Sequence, residues 1–569
     1  MIDPLLRCQG GFVRVDLGQA AGLRQHSSDQ LHGKIPVSAS GIRKIADAWL
    51  TLRVHLEAFR AAPGPYLTAM KWWILRKRVR ARGQLAPLLG RTSLAYEWWV
   101  LREDAKARPA SPPQEPPIIG LIYGTASFAH AAETLASLKA ENITSFVVDS
   151  NNQNALRQVV TAIDWSASPW LLPIAAGDCI APGAARAYRA AIAEDDRSAY
   201  FADDDLLDGL GRRTDPHFKP NWNPELHAHF DYLTGACIVK GNRPILAALA
   251  DEKDWAPFLI GQATADGAKH LPLVLHHRRG RPTPCVPAAI ASRSSSLPDL
   301  SVIIPTRNQV DLLRICLEGL YTVNYPAIEI IIVDNDSDEP ATLQFLAELA
   351  KRGVKVLRHA GEFNYSAINN RAVAEASGEL VCLLNNDIEM LSADWLASMA
   401  AQALRDDVGA VGAQLLYPDG RIQHAGVVIG VGNAAGHAHR LLDPGSQGYF
   451  CRHSLPQFVS AVTAACLVVR RDRFLAVGGL DEDNFPVAFN DVDLCLKLNQ
   501  RGWQSFYEPR AVLIHHESVS RGHDVDPIGA ARFAGELAAL KRIWKTDEIV
   551  DPYHHPHLSR ASEQFAVAL

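Results

Sequence analysis

The chain has 569 residues, 48% of them hydrophobic and 21% charged, with a formal net charge of −5. Such a composition is that of an ordinary globular protein of about two to four domains, and the acidic balance excludes a generic nucleic-acid binder. Nine cysteines without a C-x-x-C pair exclude a disulfide framework and suit a reduced, cytoplasmic chain.

The opening "MIDPLLRCQGGFVRVDLGQ" has no continuous apolar segment, so no secretory leader is expected. No apolar run approaches the roughly 20 residues that span a bilayer. The expected location is the cytoplasm, with at most a peripheral place on the inner face of the cytoplasmic membrane. Residues 1–110 read as a helical N-terminal region. Within it "MKWWILRKRVRAR" (70–82) sets Trp72, Trp73, Ile74, Leu75 and Val79 among six basic residues and reads as helix. Such a segment suits an anionic lipid surface. Equally, it suits a helix that docks its tryptophans on the next domain.

A Pro-rich linker, "ARPASPPQEPP" (107–117), ends this region. Apolar strands then alternate with amphipathic helices over 117–287, from "PIIGLIYG" to "VLHHRRG". After a second linker (288–300) the same alternation restarts at "LSVIIPTRN" and fills 298–525. The pattern predicts α/β architecture, one fold used twice, with parallel strands covered on both faces. A C-terminal helical tail is expected over 526–569.

Polar clusters end the strands of the second half. Asp334 follows "IEIIIV", and Asn385, Asn386 and Asp387 follow "LVCLL". Asn490, Asp491 and Asp493 open a helical pattern, and His515 and His516 follow "AVLI". An Asp after a strand is commonly a turn or N-cap residue. A sheet that gathers all four clusters at one rim gives them joint meaning, because ligands bind beyond the carboxyl ends of such strands. Carboxylate with imidazole suits Mn²⁺ or Mg²⁺ shared with a phosphate.

The ordered run PTRN (305–308), VDNDS (333–337), LLNNDIE (383–389), GGLDE (478–482), FNDVDLCLKL (489–498) and HHESVSRG (515–522) resembles the family 2 glycosyltransferases of GT-A fold. The bacterial O-antigen and rhamnosyl-transfer type is the nearest. "FNYSAINN", "IQHAGVVIG", "AGHAHR" and "SAVTAACLVVRR" resemble the same subgroup. The resemblance implies two tandem GT-A domains behind the helical region, and a metal-dependent, inverting sugar transfer from a nucleotide-sugar to a glycan or lipid-linked glycan. It places Pro305, Thr306, Asn308, Asp334, Asn385 and Asn386 at the donor. It makes Asp387 and His515 the metal ligands, with His516 the alternative, and Asp491 the general base. Asn385 stands where the family has the first acid of its Asp-x-Asp motif. The glycine- and histidine-rich run 424–440 falls on the acceptor side, with His424, His437 and His439 as contacts; Asp493 is a further candidate.

The first half resembles the same family thinly. Asp149 stands where Asp334 stands later, and "FADDD" supplies Asp203 and Asp205 as a possible site. Its metal strand ends "PIAAGD" with the single acid Asp178. Two readings stand: a second active transferase, or a degenerate domain that binds glycan or supports the active half. A scaffold built of two decayed domains is the non-enzymatic alternative.

Overall fold

The computed structural model describes residues 39–102, 116–124, 128–149, 154–288, 297–516 and 527–569, with the short strands Arg7–Cys8 and Gly11–Phe12. The N-terminal region is helical: α1 (Ala39–Ala61), α2 (Pro63–Ile74), α3 (Arg78–Leu89) and α4 (Ala95–Arg102). The segment 70–82 is not one helix. It breaks at Leu75–Lys77, where Arg76 takes the left-handed conformation (φ 56°) and reverses the chain into a helical hairpin. Neither Gly nor Pro marks this turn in the sequence.

The first sheet contains β1 (Ile118–Tyr123), β2 (Thr144–Val148), β3 (Trp170–Ala175), β4 (Cys179–Ile180), β5 (Ala199–Leu207), β6 (Arg213–His217), β7 (Cys237–Lys240) and β8 (Lys269–Arg278). Its order is β2-β1-β3-β7-β5-β8-β4, with β6 paired to β5.

The second sheet contains β9 (Leu300–Thr306), β10 (Ile328–Asp334), β11 (Lys355–Arg358), β12 (Leu380–Leu384), β13 (Ile388–Met390), β14 (Val408–Leu416), β15 (Ile422–His424), β16 (Gln457–Val459), β17 (Cys466–Arg470) and β18 (Gln504–His515). Its order is β11-β10-β9-β12-β17-β14-β18-β13, with β15 and β16 paired to β14 and β18. Apart from the extra edge strand β11, the two paths match strand for strand. Both are mixed, not all-parallel. One strand in the middle of each path, β7 or β17, runs antiparallel to both neighbours.

The apolar runs form strands because both faces of the sheet are covered. In β12, Val381 and Leu383 enter one core, and Leu380, Cys382 and Leu384 enter the other. Each such buried aliphatic side chain is worth about 1.5–3 kcal/mol, so β12 is a rigid mount for whatever follows it. Helix α5 (Tyr365–Glu375) is capped by the Asn364 side chain, which accepts from Ala367 N–H at 2.9 Å. Helix α6 (Asn490–Gln500) starts abruptly after Phe489, whose φ is 62°.

Only part of the expected C-terminal helix forms. α7 covers Pro527–Trp544, and the rest of the chain runs through turns. That last stretch ties the regions together. Pro552 O accepts from Asn221 N–H (2.8 Å), Asp551 Oδ2 from Ile429 N–H (2.7 Å), and Gly90 O from Val567 N–H (3.4 Å). No helix among the described residues is long and apolar enough to cross a membrane.

Candidate active site

Two strand ends bring the acid and the imidazole together. β13 pairs antiparallel with β18 so that Ile388 faces His515, and Asp387 immediately precedes that pair. His515 Nε2 lies 3.2 Å from Asp387 Oδ1. His515 Nδ1 lies 2.7 Å from Gln423 Oε1, an atom that only accepts, so Nδ1 carries the proton. Nε2 is then the unprotonated nitrogen, and its lone pair accepts from Asn385 Nδ2 at 3.3 Å, a long bond that an ion at Nε2 would replace. Two donors about 2.1 Å from one ion at a right angle stand about 3.0 Å apart. The Asp387–His515 pair fits a hard divalent ion in donor chemistry and in spacing.

Asp491 opens α6 beside this pair. Its Oδ2 accepts from Ala464 N–H at 3.1 Å and its Oδ1 from Val492 N–H at 2.8 Å. Asp491, His515, Asn385 and Asn490 line one cavity of about 210 Å³ together with Gln423, His437, Arg440, Tyr365, Tyr417 and Thr463.

Other expected residues do not line this cavity and have settings of their own. Asn386 Nδ2 donates to Thr306 Oγ1 at 3.0 Å, tying the end of β12 to the end of β9, the strand that holds Pro305. Asp334 is buried beside Thr306 and takes the Ser337 N–H (3.0 Å) and the Arg358 guanidinium (2.7 Å). A carboxylate has further lone pairs, so it can still accept from a ligand. The Asn308 side chain is spent on its loop, accepting from Asp338 and Glu339 N–H and donating to Asp338. His516 bonds Glu389 at 3.0 Å, on the far side of the strand from His515. The motif beyond His516 lies outside the described residues.

Three acceptor-side assignments are corrected. His439 is buried away from the cavity, stacked on Phe565 at 4.5 Å. His424 is fully buried and does not line the cavity; its Nδ1 lies 2.8 Å from Nδ1 of His437, which does. Asp493 faces away as the helical period requires, held by Trp544 Nε1 (2.9 Å) and Lys497 Nζ (2.8 Å).

Sequence reasoning did not single out Tyr365, Gln423, Arg440 or Thr463. All four sit inside the segments "FNYSAINN", "IQHAGVVIG", "AGHAHR" and "SAVTAACLVVRR", so the signal was present as motif without role. Tyr417 lay outside every motif.

The first domain carries the same frame with different contents. There Cys179 faces His277, and Asp178 precedes that pair, so Asp178 corresponds to Asp387 and His277 to His515. But His277 turns to Asp205 (2.7 Å), and the Arg278 guanidinium takes its place, 3.4 Å from Asp178 and 3.7 Å from Asp204. Burial pushes the Asp178 carboxyl up to about 6, against the pull of Arg278. The Arg278 guanidinium packs against Gly235, where a Cβ would meet it at 2.8 Å. "TGAC" (234–237) answers "TAAC" (463–466) of the second domain. A fixed cation therefore stands where the second domain would hold an ion.

The three acids of "FADDD" are all buried and all paired. Asp203 takes His270 (2.9 Å), His555 (2.8 Å) and Lys219 N–H (2.9 Å). Asp204 takes Lys219 Nζ at 2.8 Å and Arg281. Asp205 takes Tyr96 Oη at 2.6 Å, His277 and Arg213. Asp203, His270 and His555 are near enough to suggest a metal cluster. However, His555 Nδ1 accepts from His557 N–H at 3.0 Å, which puts the proton on Nε2, 2.8 Å from Asp203 Oδ2, so that nitrogen has no lone pair to offer an ion. Asp149 is exposed and directly follows β2.

Two sheets of one strand order, each with an antiparallel strand among parallel ones, show one α/β architecture used twice, and the second sheet carries the polar rim at its strand ends. The family model described as Glycosyl transferase family 2 matches residues 301–471, within the second domain. A Sinorhizobium fredii protein named y4gI is 40% identical over 425 residues, 66% of this chain and 47% of its own length. The O-antigen biosynthesis protein RfbC of Myxococcus xanthus is 33% identical over 438 residues, 68% of this chain and 33% of its own. The N-acetylglucosaminyl-diphospho-decaprenol L-rhamnosyltransferase of Mycobacterium tuberculosis is 27% identical over 243 residues, 40% of this chain and 78% of its own. The chain spans about half or less of the length of the first two.

Proposed function

We propose that residues 298–525 form an inverting glycosyltransferase that moves a sugar from a nucleotide-diphospho-sugar to a glycan or lipid-linked acceptor during assembly of a bacterial surface polysaccharide. The observation that carries this is the meeting of Asp491 and His515 on one cavity, with Asp387 at His515 Nε2. The names of the Myxococcus and Mycobacterium relatives support the polysaccharide setting.

In this reading Asp491 takes the proton of the acceptor hydroxyl as its oxygen attacks the anomeric carbon. The bond from that carbon to the diphosphate breaks, and the nucleoside diphosphate leaves with the electron pair. One displacement inverts the centre. Retention by double displacement would need a second carboxylate at that carbon, and Asp493 is held elsewhere by Trp544 and Lys497. Asp387 and His515 would hold Mn²⁺ or Mg²⁺, which supplies charge neutralisation for the diphosphate. Asp334 receives a donor base N–H, while Thr306, Asn385 and Asn386 shape the floor beside it. Arg440 and His437 face the acceptor side.

Residues 117–287 serve as a degenerate support domain in this proposal, because Arg278 occupies the position beside Asp178 and the acids of "FADDD" are all paired. The working location is the cytoplasm, with peripheral contact to the inner face of the membrane through 70–82. The test is donor turnover over a panel of nucleotide-sugars with Mn²⁺ or Mg²⁺, the product anomer being read by NMR. An inverted product from the wild type and none from Asp491→Asn supports the reading. No turnover of any donor, with glycan binding intact, supports the scaffold instead.

A further inference from the structure

The tip of the α2–α3 hairpin displays its apolar residues, whereas Ala69, Ala81 and Leu85 farther from the tip are buried. From Trp73 to Arg80 every residue is exposed. Val79 is 80% exposed, Ile74 76% and Leu75 53%. Leu67, also exposed, lies two helical turns before Ile74 on the same face of α2. The tip is a closed structure. Leu75, Arg76 and Lys77 N–H donate back to Lys71, Trp73 and Trp72 O at 2.9–3.0 Å, so the backbone is satisfied and the side chains are held outward.

The charge around the tip is one-sided. Lys71, Arg76, Lys77, Arg78, Arg80 and Arg82 surround it, and no acidic residue occurs between Glu57 and Glu97. That interval holds eight Lys and Arg in a chain of net −5, which leaves −5 − 8 = −13 for the rest. The cations also screen the tryptophans. Lys71, Lys77 and Arg80 stand 5.3–5.9 Å from the Trp72 ring, and Arg78 stands 5.9 Å from that of Trp73. A compact apolar tip ringed by cations is complementary to an anionic bilayer: the apolar atoms enter the interface while the basic groups meet lipid phosphates. The net negative charge of the remaining chain is repelled by the same surface, which favours contact through this tip.

We propose that this tip docks the protein onto an anionic phospholipid surface, with Ile74, Leu75 and Val79 entering the interface and Arg76, Lys77 and Arg78 on the headgroups. The proposal deepens the partner reading given above, but its test needs no sugar transfer. The full chain is floated with vesicles of phosphatidylcholine alone, and of phosphatidylcholine with about a third phosphatidylglycerol. Binding to the anionic vesicles alone is expected, weakening with salt. Neutralising one basic residue near the surface lowers partitioning about fivefold, so Arg76→Gln with Lys77→Gln and Arg78→Gln should lower it about 100-fold. Ile74→Ser with Leu75→Ser and Val79→Ser should lower it at least tenfold with an unchanged melting temperature, since these side chains are exposed. Asp491→Asn should bind as the wild type does, which separates this result from the fate of the catalytic reading. Three results would overturn the proposal. One is no binding to anionic vesicles, and another is equal binding by the triple variants. The third is a dimer, formed without lipid, that the serine variant dissolves.

Discussion

His515 Nε2 and Asp387 Oδ1 stand 3.2 Å apart at the adjoining ends of β18 and β13. Gln423 takes the proton on the opposite ring nitrogen at 2.7 Å. The ring is thereby turned and its tautomer chosen by a residue on β15.

Activity is expected to require a divalent cation. Asp387→Ala and His515→Ala should raise the cation concentration needed for half-maximal rate sharply. Gln423→Leu should weaken cation affinity about 10- to 100-fold, the usual cost of losing the partner that orients a ligating imidazole. Direct Mn²⁺ titration by calorimetry or EPR checks this alongside turnover. Full activity in excess chelator would show that the diphosphate is neutralised by other means.

Asp491→Asn should lower the transfer rate by about 10²–10⁴ with donor affinity nearly unchanged. The Ala464 N–H bond that fixes the carboxylate is one an amide oxygen can also accept. Rate and donor affinity measured on the same preparation decide it, and an active variant removes the assignment of Asp491 as base.

The first domain should respond through stability instead of turnover. Asp204→Ala leaves Lys219 buried without its carboxylate and removes one of the two that Arg281 pairs with, Asp215 being the other; stranding a buried charge in this way typically costs about 3–5 kcal/mol. Replacing Asp203, Asp204 and Asp205 together should prevent folding, so that variant says nothing about catalysis. Asp178→Asn is the cleaner probe: it keeps the shape beside Arg278 and should leave turnover within a few-fold. A loss of donor turnover in folded Asp178→Asn would mean that both domains are active.

The protein should lose stability on mild acidification. Burial holds the imidazoles of His217, His276 and His439 well below their ordinary value of 6.5, and that of His554 down to about 3. The native state keeps them neutral while the unfolded chain protonates them below 6.5. The unfolded state thus binds more protons, and stability falls with pH by about 1.4 kcal/mol per unit for each residue. Asp178, raised to about 6, acts in the opposite sense as a single group. The melting temperature should drop between about pH 7.5 and 5.5; a flat or rising profile would contradict the burial argument.

The sequence by itself determined what depends on neighbours along the chain. Continuous apolar runs such as "LVCLL" make strands covered on both faces, and the 3.6-residue period of "NDVDLCLKL" turns Asp491 and Asp493 apart. The repeated alternation of strand and helix showed that one architecture occurs twice. What tertiary structure decided rests on pairs distant in sequence. "FADDD" reads as an open acid cluster until Lys219, Arg281, His270 and His555 close on it, the last from the far end of the chain. Arg278 reads as one basic residue among several until strand register places it beside Asp178. The turn at Arg76 has no Gly or Pro to announce it, and it converts an apparent amphipathic helix into an exposed tip. His439 and Phe565 meet only because the final residues pack between the domains. Strand propensity and helical period are short-range properties carried by each segment. The charge state and accessibility of a side chain depend on what folds over it, and that is settled only when distant segments are brought into register.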